Sequence, residues 1–141
     1  MTSGSAWKYS VISNLNPMKD QARITLNSAV DHLRLANEEL LRPEEDVVCF
    51  SACKHAQLAT LNFLQGYLLQ QGFKPSDDMT IQDLYEKCMK INPNFEKVDL
   101  EAMACKNQFT KGNDCNELNK VSRCYDIADG LDTLLREEKA I

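Results

Sequence analysis

Two histidines and six cysteines are the first residues of this sequence to consider for acid–base, nucleophilic or metal-binding chemistry. The sequence contains no C-x-x-C pair and no Cys/His set with zinc-finger spacing. Neither histidine has a glutamate three residues before it, so the E-x-x-H pairs of di-iron bundles are also absent. The sequence therefore predicts no metal site and no cofactor. The cysteines are interpreted as reduced, apolar core residues.

Four basic side chains are candidates for binding a ligand. Lys54 and His55 are adjacent and could contact an anion or a base, if that turn of their helix faces a cleft rather than simply reaching the surface. Lys106 and Lys111 could hold a phosphate; alternatively, they stabilise the C-terminal end of a helix. His32 lies beside the polar stripe of its helix and is expected at the surface.

No catalytic residue is predicted, because the glycine-rich phosphate loops, the G-x-S-x-G elbow and the H-E-x-x-H helix are all missing. An enzyme that uses Lys54 or a thiolate is a remaining alternative. Cys53, Lys54 and His55 are neighbours in sequence. Side chains one or two positions apart on a helix do not face one another, which weakens that alternative.

The pattern of apolar residues predicts an all-α protein, an antiparallel up-and-down bundle of four to five helices. The 141 residues include only 5 Gly and 4 Pro, and no segment alternates with period two. Residues 1–15 are interpreted as an N-terminal arm and residues 16–141 as a single domain. The predicted helices begin at Asn16–Pro17, at Pro43, after Thr80, at Phe95 and at Leu118, and Gly72 is expected to end the second. The first has an apolar face that includes Ala22, Leu26, Ala29, Leu33 and Ala36, and the second has two apolar stripes, one from Val48 to Tyr67 and one from Phe50 to Leu68. Thr80 and Asp83 are expected to form a capping box for the third helix, in which Ile91 faces inward, and a turn is expected around Gly112.

The net charge of −5 argues against non-specific binding to nucleic acid, which needs a basic surface. No apolar run is long enough for a membrane span: 56–73 lacks charged residues but contains several Gln, Thr and Asn side chains. We therefore expect a cytoplasmic protein that does not contact a membrane.

Two segments resemble the HEPN family, named for higher-eukaryote and prokaryote nucleotide binding. The first is 53–69, CKHAQLATLNFLQGYLL, followed by QQGF and a proline; it is similar to the family's second helix and the loop after it. The second is 80–88, TIQDLYEKC, followed by NPNF, which is similar to a short helix led by threonine. The resemblance spans residues 16–138 and implies a helical bundle, a homodimer and, in many members, a small nucleotidyltransferase partner in a toxin–antitoxin module.

Other HEPN proteins are metal-independent RNases with an R-x(4–6)-H motif late in the chain. That motif is missing here, since no arginine lies at this spacing before either histidine and no histidine follows His55. The hypothesis is thus a non-catalytic HEPN-like domain that binds a nucleotide, RNA or a nucleotidyltransferase-type partner. The alternative is a protein–protein adaptor without nucleotide binding, suggested by the aromatic arm around Trp7 and Tyr9.

Overall fold

The computed structural model describes residues 2–100 and 118–141, and these ranges contain helices and no strand. The described ranges contain four α-helices and two short 3-10 helices, Glu44–Asp46 and Pro93–Lys97. The α-helices are α1 (Thr2–Leu40), α2 (Cys49–Gln70), α3 (Ile81–Ile91) and α4 (Leu118–Glu137). The predicted all-α bundle is confirmed. The predicted turn around Gly112 and the end of the helix expected from Phe95 lie outside the described residues.

The first helix begins earlier than predicted. The backbone of residues 2–15, expected as an arm, is part of α1, and Pro17 lies inside the helix rather than at its start. An interior proline removes one hydrogen bond and costs about 3 kcal/mol, whereas it fits a first turn without loss. Sequence alone favoured the first turn for this reason. The predicted apolar face is confirmed by five buried residues, Ala22, Leu26, Ala29, Leu33 and Ala36.

The second helix begins later than predicted, at Cys49 instead of Pro43. Val48 is extended, with φ −90° and ψ 92°, and separates α2 from the 3-10 turn before it. The Val48 N–H donates to the Glu39 carboxylate, 2.9 Å away, at the end of α1. A side chain of α1 therefore satisfies a backbone donor at the start of α2, which a reading of local helix signals does not reveal.

The centre of the bundle is α2, which contacts α1, α3 and α4. Its two apolar stripes are buried from Ala52 to Leu69, as predicted, whereas Val48 and Phe50 at its start are exposed. Gly72 adopts φ 85° and ends the helix as predicted. The N–H groups of Phe73 and Gly72 donate to the carbonyls of Leu68 and Leu69, the Schellman pattern.

The antiparallel contact between α1 and α2, here called the seam, is close and continuous. A Cβ built on Gly66 would lie 2.6 Å from the Leu26 side chain, so glycine permits the approach. Further along, Asn62 Nδ2 donates to Ser28 Oγ at 3.1 Å. These contacts fix the register of α1 against α2.

The capping box predicted at Thr80 and Asp83 is present at the start of α3. Tyr85 on this helix is buried, and its hydroxyl lies 3.0 Å and 2.7 Å from the carbonyl oxygens of Phe95 and Val98. These contacts attach the 3-10 helix to α3, where an α-helix from Phe95 was predicted. Ile91 was expected to face inward but is exposed at the end of α3.

Candidate functional site

The seam brings the two histidines of the chain together. His32 lies on α1 and His55 on α2, both are half-buried, and their Nδ1 atoms are 3.0 Å apart. The ring centres are 5.2 Å apart and the ring planes differ by 29°. In each ring, Nδ1 lies a fixed distance from the ring centre. The distance between the two ring centres is close to the Nδ1–Nδ1 distance plus these two fixed distances, so both Nδ1 atoms lie near the line that joins the ring centres. The rings therefore meet edge to edge, with their Nδ1 atoms facing each other.

This arrangement forms one hydrogen bond and has room for one proton between the rings. A neutral imidazole carries hydrogen on one nitrogen and a lone pair on the other. One ring must therefore donate from Nδ1 while the other accepts at Nδ1. If both Nδ1 atoms carried hydrogen, two donors would face each other across 3.0 Å.

Each Nε2 atom lies on the side of its imidazole away from the partner ring, and both residues are half-buried. Among the described residues, the buried polar side-chain atoms without a hydrogen-bond partner are Thr60 Oγ1 and Gln82 Oε1. The single hydrogen bond recorded for either imidazole in the described part of the chain is the one that joins them. The pair thus presents two ring nitrogens to a ligand.

The surroundings of His32 favour the neutral form of its imidazole. Burial, followed by the charge of His55, lowers the pKa of His32 below its ordinary value of 6.5, and Asp31 on the same helix opposes the shift. A neutral imidazole can act as both donor and acceptor near neutral pH. His32 can therefore both donate and accept a hydrogen bond near neutral pH.

The structure describes two of the four candidate ligand residues proposed from the sequence, Lys54 and His55. His55 is at the seam as a candidate ligand residue, and Lys54, also half-buried, precedes it on α2. The expectation of a surface position for His32 was wrong, because this residue packs into the seam against His55. Lys106 and Lys111 lie outside the described residues.

A sequence signal for the pair existed but was missed. Each histidine is flanked on its own helix by alanines three positions before and four after, Ala29 and Ala36 on α1, Ala52 and Ala59 on α2. All four alanines are completely buried. Small residues at these spacings let two helices approach closely, since interaxial distance depends on the side chains at the contact. The shared A-x-x-H-x-x-x-A pattern therefore indicates two matching helix faces.

The sequence suggested that the cysteines are reduced, but this is wrong for at least one of them. Cys53 is disulfide-bonded, whereas Cys49 and Cys88 are free. Burial raises the pKa of the Cys88 thiol to about 12, so this group is not a thiolate near neutral pH. Within the described ranges, no cluster of three or more His, Cys, Asp or Glu residues could hold a metal ion.

A cavity of about 490 Å³ lies elsewhere on the same two helices. Its polar lining includes Gln21 and Thr25 of α1, Gln65 of α2 and Lys74 and Asp77 of the following loop. Gln65 is almost three turns after His55, about 15 Å along the helix axis. The cavity is thus separate from the histidine pair and is a rival location for a ligand.

The exposed side of α4 is acidic. Burial, with the charges of Asp132 and Asp126, raises the pKa of Asp129 above its ordinary value. Neighbouring carboxylates disfavour one another's charge and repel phosphate. This surface of α4 is therefore a poor site for an anion, in contrast to the seam.

Comparison of the chain with protein-family models, with curated proteins and with solved structures finds no match. None of the helices in the described ranges is both long and apolar enough to cross a membrane. The geometry of the seam is consequently the main basis for a functional assignment.

Proposed function

We propose that this chain is a non-catalytic, HEPN-like helical bundle that binds a phosphate-bearing ligand, a nucleotide or RNA, at the seam. The observation that carries the proposal is the half-exposed pair of His32 and His55, whose Nδ1 atoms are 3.0 Å apart. Imidazole N–H groups are suitable donors to phosphate oxygens, and the bond strengthens when the ring is charged. Lys54, one residue before His55 on α2, is a second candidate ligand residue in this part of the chain.

The absence of the R-x(4–6)-H motif supports binding rather than cleavage. As part of the same proposal, the protein forms a homodimer in the cytoplasm and pairs with a nucleotidyltransferase-type protein, as the HEPN resemblance implies. The disulfide at Cys53 is an observation against the cytoplasmic location, because disulfides persist mainly in oxidising compartments. Cell fractionation and light scattering of the purified protein would test location and oligomeric state.

Calorimetric titration with AMP and adenosine tests ligand binding at the seam. We expect AMP to bind more tightly than adenosine, because the phosphate is the group recognised. H32N and H55N should each weaken AMP binding about tenfold, which corresponds to about 1.4 kcal/mol. Lys74→Gln in the separate cavity serves as the matched control and should bind as the unmodified chain does.

Equal binding of AMP and adenosine, or loss of binding only in Lys74→Gln, would contradict the seam as the phosphate site. In the second case the ligand would occupy the cavity instead. Cleavage of RNA by the purified protein, abolished in H55A, would contradict the non-catalytic assignment.

A protein–protein adaptor is the second candidate function. It is favoured by three exposed apolar side chains near the connection between α1 and α2, Leu41 (74% exposed), Val48 (52%) and Phe50 (41%). Exposed apolar side chains that adjoin one another often mark interaction surfaces. The double variant Leu41→Ser, Phe50→Ser should then lose a captured protein partner while retaining its fold. Retention of that partner would argue against these residues as the contact surface.

A further inference from the structure

The geometry of the histidine pair constrains how the site can bind an anion. In the neutral pair, one Nδ1–H donates to the other Nδ1, so one ring keeps hydrogen on Nε2 and the other has a lone pair there. That lone pair repels a phosphate oxygen. The neutral pair therefore offers an anion one donor and one repulsive acceptor.

We propose that ligand binding at the seam takes up a single proton, which the two histidines share across their Nδ1–Nδ1 contact. The proton comes from solvent and adds to the unprotonated Nε2, without any change to a covalent bond of the ligand. Both Nε2 atoms then become N–H donors, the hydrogen between the rings stays in place, and the pair carries one positive charge. This inference rests on the proposed function, since it concerns the regulation of the same site.

A second proton is disfavoured by the same contact. It would have to add at the accepting Nδ1, where two N–H groups would oppose each other at 3.0 Å. Double protonation therefore requires the rings to separate. The seam resists this separation, because Gly66 against Leu26 and Asn62 against Ser28 hold α1 and α2 in register.

Among the described residues, the charged groups that shift the pKa of His32 come from the two helices that form the seam. On α1, Asp31 favours a proton on His32; on α2, the positive charge of His55 opposes it. No charged group of α3 or α4 in the described ranges is among those that shift His32. A proton on His32 is therefore disfavoured in the unliganded pair, and the negative charge of a bound anion would compensate for this.

The shared proton can be observed directly because the chain contains only two histidines. In an NMR titration of the intact protein, their Cε1–H signals should move together in a first step. A second step should follow more than about one pH unit lower, since strongly coupled groups titrate as a pair. H32N places a non-titrating amide near the former Nδ1 position, and His55 should then titrate in one step. Two independent single-step curves in the unmodified protein would overturn the inference.

The uptake of a proton on binding is measured by calorimetric titration of the protein with AMP in two buffers that differ in ionisation enthalpy. The titrations are made at about pH 7.5, where the phosphate of AMP is already mostly dianionic. We expect uptake of about one proton per AMP bound, and a Kd that falls about tenfold for each unit decrease in pH in this range. The double variant H32N/H55N should show no proton uptake. Uptake retained in the double variant would overturn the inference, because another group would then supply it.

The two proposals fail in different ways. Binding of AMP at the seam without proton uptake overturns the shared-proton inference and leaves the proposed function intact. Absence of AMP binding between about pH 5.5 and 8, the range in which histidine titrates, overturns the proposed function and the proton linkage with it.

Discussion

Substitution of Gly66 by alanine tests whether the seam is as close as the structure shows. The new Cβ would lie 2.6 Å from Leu26 Cγ and Cδ2 and 3.3 Å from the Leu26 backbone nitrogen. Leu26 is only 2% exposed and cannot swing away into solvent. Overpacking of this kind costs about 1–3 kcal/mol, while replacing an interior helical glycine gains about 0.5–1 kcal/mol. We therefore expect Gly66→Ala to lower the free energy of unfolding by up to about 2.5 kcal/mol.

Gly130→Ala in α4 is the matched control, since its Cβ would lie 3.6 Å from Val98 Cγ2, an ordinary contact. It gains the same helical propensity without a clash and should stabilise the protein by about 0.5–1 kcal/mol. The difference between the two variants, about 1–3 kcal/mol, isolates the overpacking at Leu26. Urea unfolding followed by circular dichroism measures it, and each kcal/mol should also shift the Tm by about 3–5 °C. If Gly66→Ala is as stable as Gly130→Ala, the described closeness of α1 and α2 is refuted.

Two further predictions concern hydrogen bonding and pH. Tyr85→Phe removes the donor that approaches the carbonyls of Phe95 and Val98. It should lower the free energy of unfolding in urea by about 1–3 kcal/mol, because buried acceptors lose their partner; an unchanged midpoint would contradict this role. Since the pKa of His32 is lowered by burial and by His55, the unfolded chain binds the proton more tightly. Stability is then complete above the ordinary pKa of 6.5 and falls as the pH drops through the folded value, and H32N should flatten this decline in unfolding curves recorded between about pH 7.5 and 5.5. An equally steep decline in H32N would assign the pH dependence to other groups.

Local signals in the sequence predicted the parts of the fold that depend on neighbouring residues. The capping box at Thr80 and the glycine after α2 were predictable, because each acts within one turn of its helix. The start of α1 was predicted wrongly at Pro17, because proline is compatible with a first turn and also, at a cost, with a helix interior. The start of α2 at Cys49 depends on Glu39, nine residues before Val48 and on another helix, which lies beyond such local signals.

The candidate site was predictable only in outline. His55 could be singled out because it and Lys54 are the charged or readily protonated side chains of an otherwise uncharged α2. Its partnership with His32 depends on the register of α1 against α2. That register is set by contacts between residues far apart in sequence, such as Leu26 with Gly66. The matching spacing of alanines around the two histidines was the one feature of the local sequence that indicated this register.

The most informative test of function against structure is the replacement of both histidines by leucine. If the pair is there for a ligand, H32L/H55L should leave the free energy of unfolding unchanged within about 1 kcal/mol or raise it, since removing both partners of a hydrogen bond leaves no unsatisfied group. H55L alone leaves the half-buried Nδ1 of His32 without its partner and should cost about 1–3 kcal/mol. The double variant should therefore be more stable than the single one, and it should no longer bind AMP. A double variant less stable than H55L would mean that the imidazoles are needed to hold the seam together. The pair would then be structural, and its exposed nitrogens would not be evidence of a binding site.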